Sequence, residues 1–127
     1  MTDKHLDARG RGETDYDYIE DVLFFKIKDR EYEKSLELGN IVVDLDKEGF
    51  LVGIQMFDAS KFLQIPKETL RDVKQWKFAA LIADNIIEVR IVFEVIIRNR
   101  VVERSPIIIQ QAPENLPNSE VVCATPL

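Results

Sequence analysis

The acidic side chains are the richest chemical resource in this sequence, and they gather at Asp15, Asp17, Glu20 and Asp21. Carboxylates held close together can divide acid and base roles between them, as in glycoside hydrolysis. Acids also collect in turns for backbone reasons, because their oxygens accept from nearby amides. Carboxylates alone are poor evidence of a site without a pocket, so a solvated turn is the expected reading. A second acidic run, Asp44-Leu45-Asp46-Lys47-Glu48-Gly49, matches the first half of a calcium loop. The position that should close that loop with a bidentate carboxylate is Gln55, and both flanks alternate like strands, so the run is expected to be a hairpin loop.

Other reactive residues are sparse. His5 is the single histidine and falls in the charged N-terminal stretch, so the commonest general base and zinc ligand is missing from the patterned region. Cys123 stands alone in a segment punctuated by Pro113, Pro117 and Pro126, without a histidine partner to activate it. No Gly-x-Gly-x-x-Gly, Gly-Lys-Ser/Thr or Gly-x-Ser-x-Gly motif occurs. Arg90, Arg98, Arg100 and Arg104 could bind phosphate. They are interleaved with Glu88, Glu94 and Glu103, a pattern that predicts cross-strand ion pairs on a wet face. No metal and no cofactor is therefore expected, and the sequence assigns no catalytic residue.

The elements that must carry these groups are strands, because period-2 alternation dominates the chain. Tyr16–Tyr18 and Val22–Ile27 read as strands about the turn Ile19-Glu20-Asp21, and Tyr32–Leu38 as a weaker strand ending at Gly39-Asn40. Ile41–Leu45 and Phe50–Phe57 flank the acidic loop, with Leu45 expected opposite Phe50, Val43 opposite Val52 and Ile41 opposite Ile54. A helical turn over Lys61–Gln64 is expected, capped by Asp58 or Ser60, then a short helix with Pro66 at its first position and Leu70 and Val73 on its apolar stripe. Asp84-Asn85 reads as a hairpin loop setting Ile82 opposite Ile87, Ala80 opposite Val89, Phe78 opposite Ile91 and Trp76 opposite Phe93. A turn near Asn99-Arg100 leads to Val101–Gln110, where Pro106 argues for an edge strand or a bulge.

The fold expected is α+β, predominantly antiparallel β hairpins and meanders with one or two short helices inserted mid-chain. Residues 1–15 read as a flexible leader, 16–110 as one domain and 111–127 as an extended or loosely docked proline-containing tail. The arginine-glycine stretch Arg9-Gly10-Arg11-Gly12 sits in that leader among acidic residues and reads as solvated.

Residues 16–64 resemble the DUF2283 family, small prokaryotic proteins of unknown function. The likeness lies in Tyr16-Asp17-Tyr18, Asp21-Val22-Leu23-Phe24-Phe25-Lys26-Ile27 and Ile41-Val42-Val43-Asp44-Leu45-Asp46. Gly49, Leu51-Val52-Gly53-Ile54 and Asp58-Ala59-Ser60 continue it in the same order. The resemblance implies a compact β-rich fold and, as sometimes proposed for the family, an antitoxin-like partner of a small toxin. It implies no catalytic residues.

Composition bounds the rest. The 127 residues are 46% hydrophobic and 31% charged, a globular balance. No apolar run approaches the roughly 20 residues that span a bilayer. The N-terminal stretch lacks the apolar core of a signal peptide, and one cysteine cannot form an intrachain disulfide, which together predict a cytoplasmic location. A net charge of −6 opposes nucleic-acid binding. Ile86–Ile97 is apolar on both faces, so one face wants a cover. The leading expectation is a non-enzymatic protein–protein interaction module: a homodimer, or a binder of a small protein partner. Its interface would hold Ile86, Val92, Ile96, Val101 and Ile108. The alternative is a small-ligand-binding or hydrolytic protein with a carboxylate-lined site drawn from Asp17, Asp44 or Asp58.

Overall fold

The computed structural model describes residues 4–7, 12–28 and 30–125. Its strands are β1 (Lys4–Asp7), β2 (Gly12–Asp17), β3 (Val22–Ile27), β4 (Lys34–Leu38), β5 (Ile41–Leu45) and β6 (Leu51–Phe57). Helices α1 (Ala59–Leu63) and α2 (Lys67–Arg71) follow. The chain then forms β7 (Trp76–Ala83), β8 (Ile86–Ile97), β9 (Arg100–Arg104), β10 (Ile107–Gln111) and β11 (Ser119–Thr125). One sheet, called A, runs β1-β11-β7-β8-β10 with β9 also on β8; sheet B runs β2-β3-β6-β5-β4. Every pairing is antiparallel except β1 with β11. With helices of only five residues each, the fold is mostly β rather than a balanced α+β. Neither helix is long and apolar enough to cross a membrane.

The inner faces of the sheets share one core. Phe25 of sheet B packs edge-on against Trp76 at 5.8 Å and against Phe78 at 4.9 Å. In β8 the side chains of Ile87, Val89, Ile91, Phe93 and Val95 are buried, while Ile86, Arg90, Glu94 and Ile96 are exposed. The β7–β8 register is the expected one, with Trp76 opposite Phe93 and Ile82 opposite Ile87. Its loop, Asp84-Asn85, has positive φ at both residues, the primed turn whose twist suits a two-residue hairpin. Arg98-Asn99 repeats that geometry between β8 and β9.

Three local expectations change. In the β5–β6 hairpin, Val43 lies opposite Ile54 and Ile41 opposite Met56, two residues along from the expected pairs, with an irregularity at Asp44/Leu45. Along Ile41–Val43 a shift of two keeps each side chain on its face, but beyond the irregularity Leu51 lies opposite Leu45 and enters the shared core in place of the expected Phe50 and Val52. The loop is closed from Asp46, whose N–H donates to the Phe50 carbonyl and whose carboxylate accepts the Glu48 and Phe50 amides. Asp58 is left-handed and makes no side-chain cap for α1, and Pro66 sits just before α2 rather than inside it. Of the two outcomes expected at Pro106, the edge strand is the one found: β9 and β10 lie at the edge of sheet A and keep one register along β8 on either side of it, with no bulge.

Among the described residues, parts of both chain ends form strands that local patterning did not show. β1 and the start of β2 lie within residues 1–15; the arginine-glycine stretch falls outside the described residues apart from Gly12. β11 is not loosely docked but sits between β1 and β7, with Val121, Cys123 and Ala124 buried. Both cases rest on pairing between distant segments, which leaves little local signal in polar sequences such as Lys4–Asp7.

Candidate functional site

Three places gather polar groups or uncovered apolar surface. The first is Asp21, in the β2–β3 turn, with left-handed backbone. Its carboxylate accepts the Tyr16 hydroxyl at 2.5 Å, the Ser60 amide at 3.0 Å and the Ser60 hydroxyl at 2.7 Å. Burial alone would raise its pKa, but these donors, with Lys67 nearby, outweigh burial and hold the carboxyl below its ordinary value. Burial and the Asp21 bond push the Tyr16 phenol up. Ser60 therefore donates to Asp21 instead of accepting from its own helix, and the Asp21 carbonyl takes the Ala59 amide. Asp21 is the cap of α1, supplied from another element. The other clustered acids go elsewhere: Asp17 accepts the Glu20 amide, and Asp15 points to the outer face of sheet B.

The second place is a groove of about 400 Å³ on that outer face. Glu13, Lys26, Gly53, Asp44 and Ser35 lie in one row across β2, β3, β6, β5 and β4. Gly53 forms the floor: a Cβ there would come within 3.0 Å of Asp44 Oδ2 and 3.2 Å of the Phe25 carbonyl. Asp44 accepts the Ser35 hydroxyl at 2.6 Å. Arg30 lines the rim but is committed to Asp46 and lies over the Phe50 ring at 5.5 Å. Of the three carboxylates named from sequence, only Asp44 reaches this groove; Asp17 and Asp58 are not brought to it. Asp46 belongs to its hairpin loop, where the Arg30, Phe50 and Glu48 bonds outweigh burial and depress its pKa.

The third place is the outer face of sheet A. Ile96 and Val101 are direct cross-strand neighbours, 70% and 67% exposed. Beyond the Glu94–Glu103 pair and Ser105, Ile107 and Ile109 are exposed on the same face of β10, Ile86 lies at the far end, and Val92 is half-buried. Helix α2 leaves a groove of about 650 Å³ against β8 and β9 instead of covering them. One expected interface residue is corrected. Ile108 is 8% exposed, because its partner is Val89 and both point into the core. The interleaved charges do not form opposed ion pairs: Glu94 faces Glu103, Arg90 faces Ile107 and Glu88 faces Ile109. Ile107, Ile108 and Ile109 all read as added apolar surface from the sequence; only the β8–β10 register decides that Ile107 and Ile109 face out and Ile108 faces in.

Sheet B, with the first residues of α1, is the stretch that comparison with known proteins recognises. Residues 13–60 match the DUF2283 family. The family model is described as a protein of unknown function. The DUF2283 segment runs from the start of β2 to Ser60, the residue whose hydroxyl and amide Asp21 holds, so the matched span closes on its own cap. The chain is 28% identical over 90 residues to a Methanosarcina mazei protein named "Putative hypoxanthine phosphoribosyltransferase", covering 71% of this chain and 73% of that one. It is 27% identical over 109 residues to an uncharacterized protein of Methanocaldococcus jannaschii, covering 85% of this chain and 94% of that one. Both likenesses are longer than the DUF2283 segment. No solved structure matches.

Proposed function

We propose that this protein is a non-enzymatic protein–protein interaction module, acting by self-association or by binding a small protein partner, with the outer face of sheet A as its contact surface. The Ile96–Val101 pair carries the reading. Large apolar side chains set opposite one another in solvent leave water-exposed area that association would bury, at roughly 25 cal/mol per Å². The like-charged Glu94–Glu103 pair beside them is unfavourable in the free chain and suits a partner that brings a cation. A buried, unpaired Cys123 fits a reducing compartment, and we place the protein in the cytoplasm. Light scattering from micromolar concentrations upward tests the self-association branch. A doubled mass that falls with Ile96→Lys supports it; a mass of 14.7 kDa at every concentration removes it.

The groove over Gly53 favours a second reading, a site for a small molecule bearing both charges, since Lys26 and Asp44 flank the floor on adjacent strands. A thermal-shift screen with small zwitterions tests it. Stabilisation lost in Lys26→Gln supports this reading, and no shift with any of them rejects it. The name of the Methanosarcina relative describes phosphoribosyl transfer, which handles phosphate groups. This sequence has no Gly-rich phosphate loop to receive them.

A further inference from the structure

Sheet edges in proteins are ordinarily blunted by short length, charge, proline or cover. Three edges here follow that rule. β1 has four residues; β2 carries Glu13, Asp15 and Asp17; β4 carries Lys34 and Glu37, with Lys34 paired to Glu114. The edge formed by β9 and β10 also carries Arg100, Glu103, Arg104 and Pro106, but it is the longest of the four and directs few of these outward. Among the described residues both strands pair with β8 alone, in one register from Arg100 to Gln111.

Pro106 looks like a guard for this edge, but it faces the wrong way. The Ile91 amide donates to the Pro106 carbonyl at 3.1 Å, so the backbone of Pro106 is directed at β8. In an antiparallel ladder the N–H and C=O of one residue point to the same side and alternate along the strand. The proline therefore deletes an inner rung. The residues whose backbone groups point outward are Val101, Glu103, Ser105, Ile107, Ile109 and Gln111, and all six are exposed. Three of them are β-branched apolar residues, and only Glu103 is charged.

We propose that this edge is the seam of a two-fold dimer in which β9–β10 of a second copy of this chain pairs antiparallel with it, joining the two A sheets into one. The proposal deepens the interaction reading above and rests on it. The occupant is a second copy because the stretch Val101-Val102-Glu103-Arg104-Ser105-Pro106-Ile107-Ile108-Ile109 is apolar at both ends and polar in the middle. A two-fold axis at Ser105 lays Val101 against Ile109 of the partner subunit and Val102 against Ile108 of the partner subunit. No like charges then face each other. Five outward residues on each side would exchange about ten backbone hydrogen bonds. The row Ile96–Val101 continues across the seam onto Ile109 of the partner subunit, so the exposed face gains a neighbour without moving the core. An isologous contact of this kind closes on itself.

Amide hydrogen exchange on the full chain, measured with sedimentation at low and high micromolar concentration, tests the seam. The expected result is a doubled mass, with the amides of Val101, Glu103, Ser105, Ile107 and Ile109 slowing by at least roughly tenfold as the dimer fills. Those of Val102 and Ile108, already bonded to β8, should change little. Ile107→Lys with Ile109→Lys should return the mass to 14.7 kDa with unchanged circular dichroism. Ile86→Lys, on the same face but away from the seam, should leave the dimer intact. A dimer whose five outward amides exchange as freely as the monomer's overturns the seam and leaves the interaction reading standing through face packing. A chain that stays monomeric overturns the seam and self-association together. Protection of the same amides only on adding a different protein overturns the second copy as occupant.

Discussion

Asp21 and Ser60, 39 positions apart in the chain, are joined by paired hydrogen bonds of 3.0 Å from the Ser60 amide and 2.7 Å from its hydroxyl. This contact fastens α1 onto the β2–β3 turn and closes the DUF2283 segment. Asp21→Asn keeps an acceptor but loses the charge that three donors favour, and should cost about 1–3 kcal/mol at pH 7. The folded-state pKa is depressed, so this stabilisation is full above the ordinary carboxylate value of 3.8 and is lost as pH falls through the lower folded value. Urea unfolding of wild type and variant should thus differ clearly at pH 7 and converge in acid. A gap that widens in acid would contradict the assignment.

Trp76 is the central aromatic of the inter-sheet core, 4.7 Å from Phe93 across the hairpin and edge-on to Phe25 from the other sheet. Trp76→Ala should cost about 3–5 kcal/mol, the range for truncating a large buried aromatic. Chemical denaturation measures it. A loss below about 1 kcal/mol would mean that the sheets do not meet there.

Gly49 joins the DUF2283 hairpin to the C-terminal segment. Its φ is +90°, and a Cβ would lie 2.6 Å from Pro117 Cγ. Gly49→Ala should therefore lose about 1–2 kcal/mol from left-handed backbone alone, and more from displacing Pro117. In a Pro117→Ala background the penalty should shrink. Equal penalties in the two backgrounds, read from a double-mutant cycle, would show that Pro117 does not press on Gly49.

Cys123 lies fully buried on β11, and burial pushes its thiol up to about 11. Thiolate is the reactive form, so the native protein should resist thiol reagents at pH 8 and become labelled only as denaturant unfolds it. Rapid labelling of the native protein would place β11 outside the core.

The sequence by itself determined the elements whose information is local. The β7–β8 hairpin was legible because Trp76, Phe78, Ala80 and Ile82 alternate on one side of Asp84-Asn85 and Ile87, Val89, Ile91 and Phe93 on the other, and a one-residue slip would bury charge. The DUF2283 segment was legible for the same reason, its blocks lying in order within one sheet. The exposed face of β8 was legible too, since Ile86 and Ile96 share the parity of Arg90 and Glu94. Only the tertiary structure decided what depends on distant chain: that β11 sits inside sheet A, that Asp21 caps a helix it never touches in sequence, and that Ile108 faces inward while Ile107 and Ile109 face out. It also decided that Pro106 spends its missing N–H on β8 and leaves the outer edge open. A side chain's type and its neighbours fix the period of an element. The direction that period faces is set by whichever strand pairs with it, and in a sheet that strand can come from anywhere in the chain.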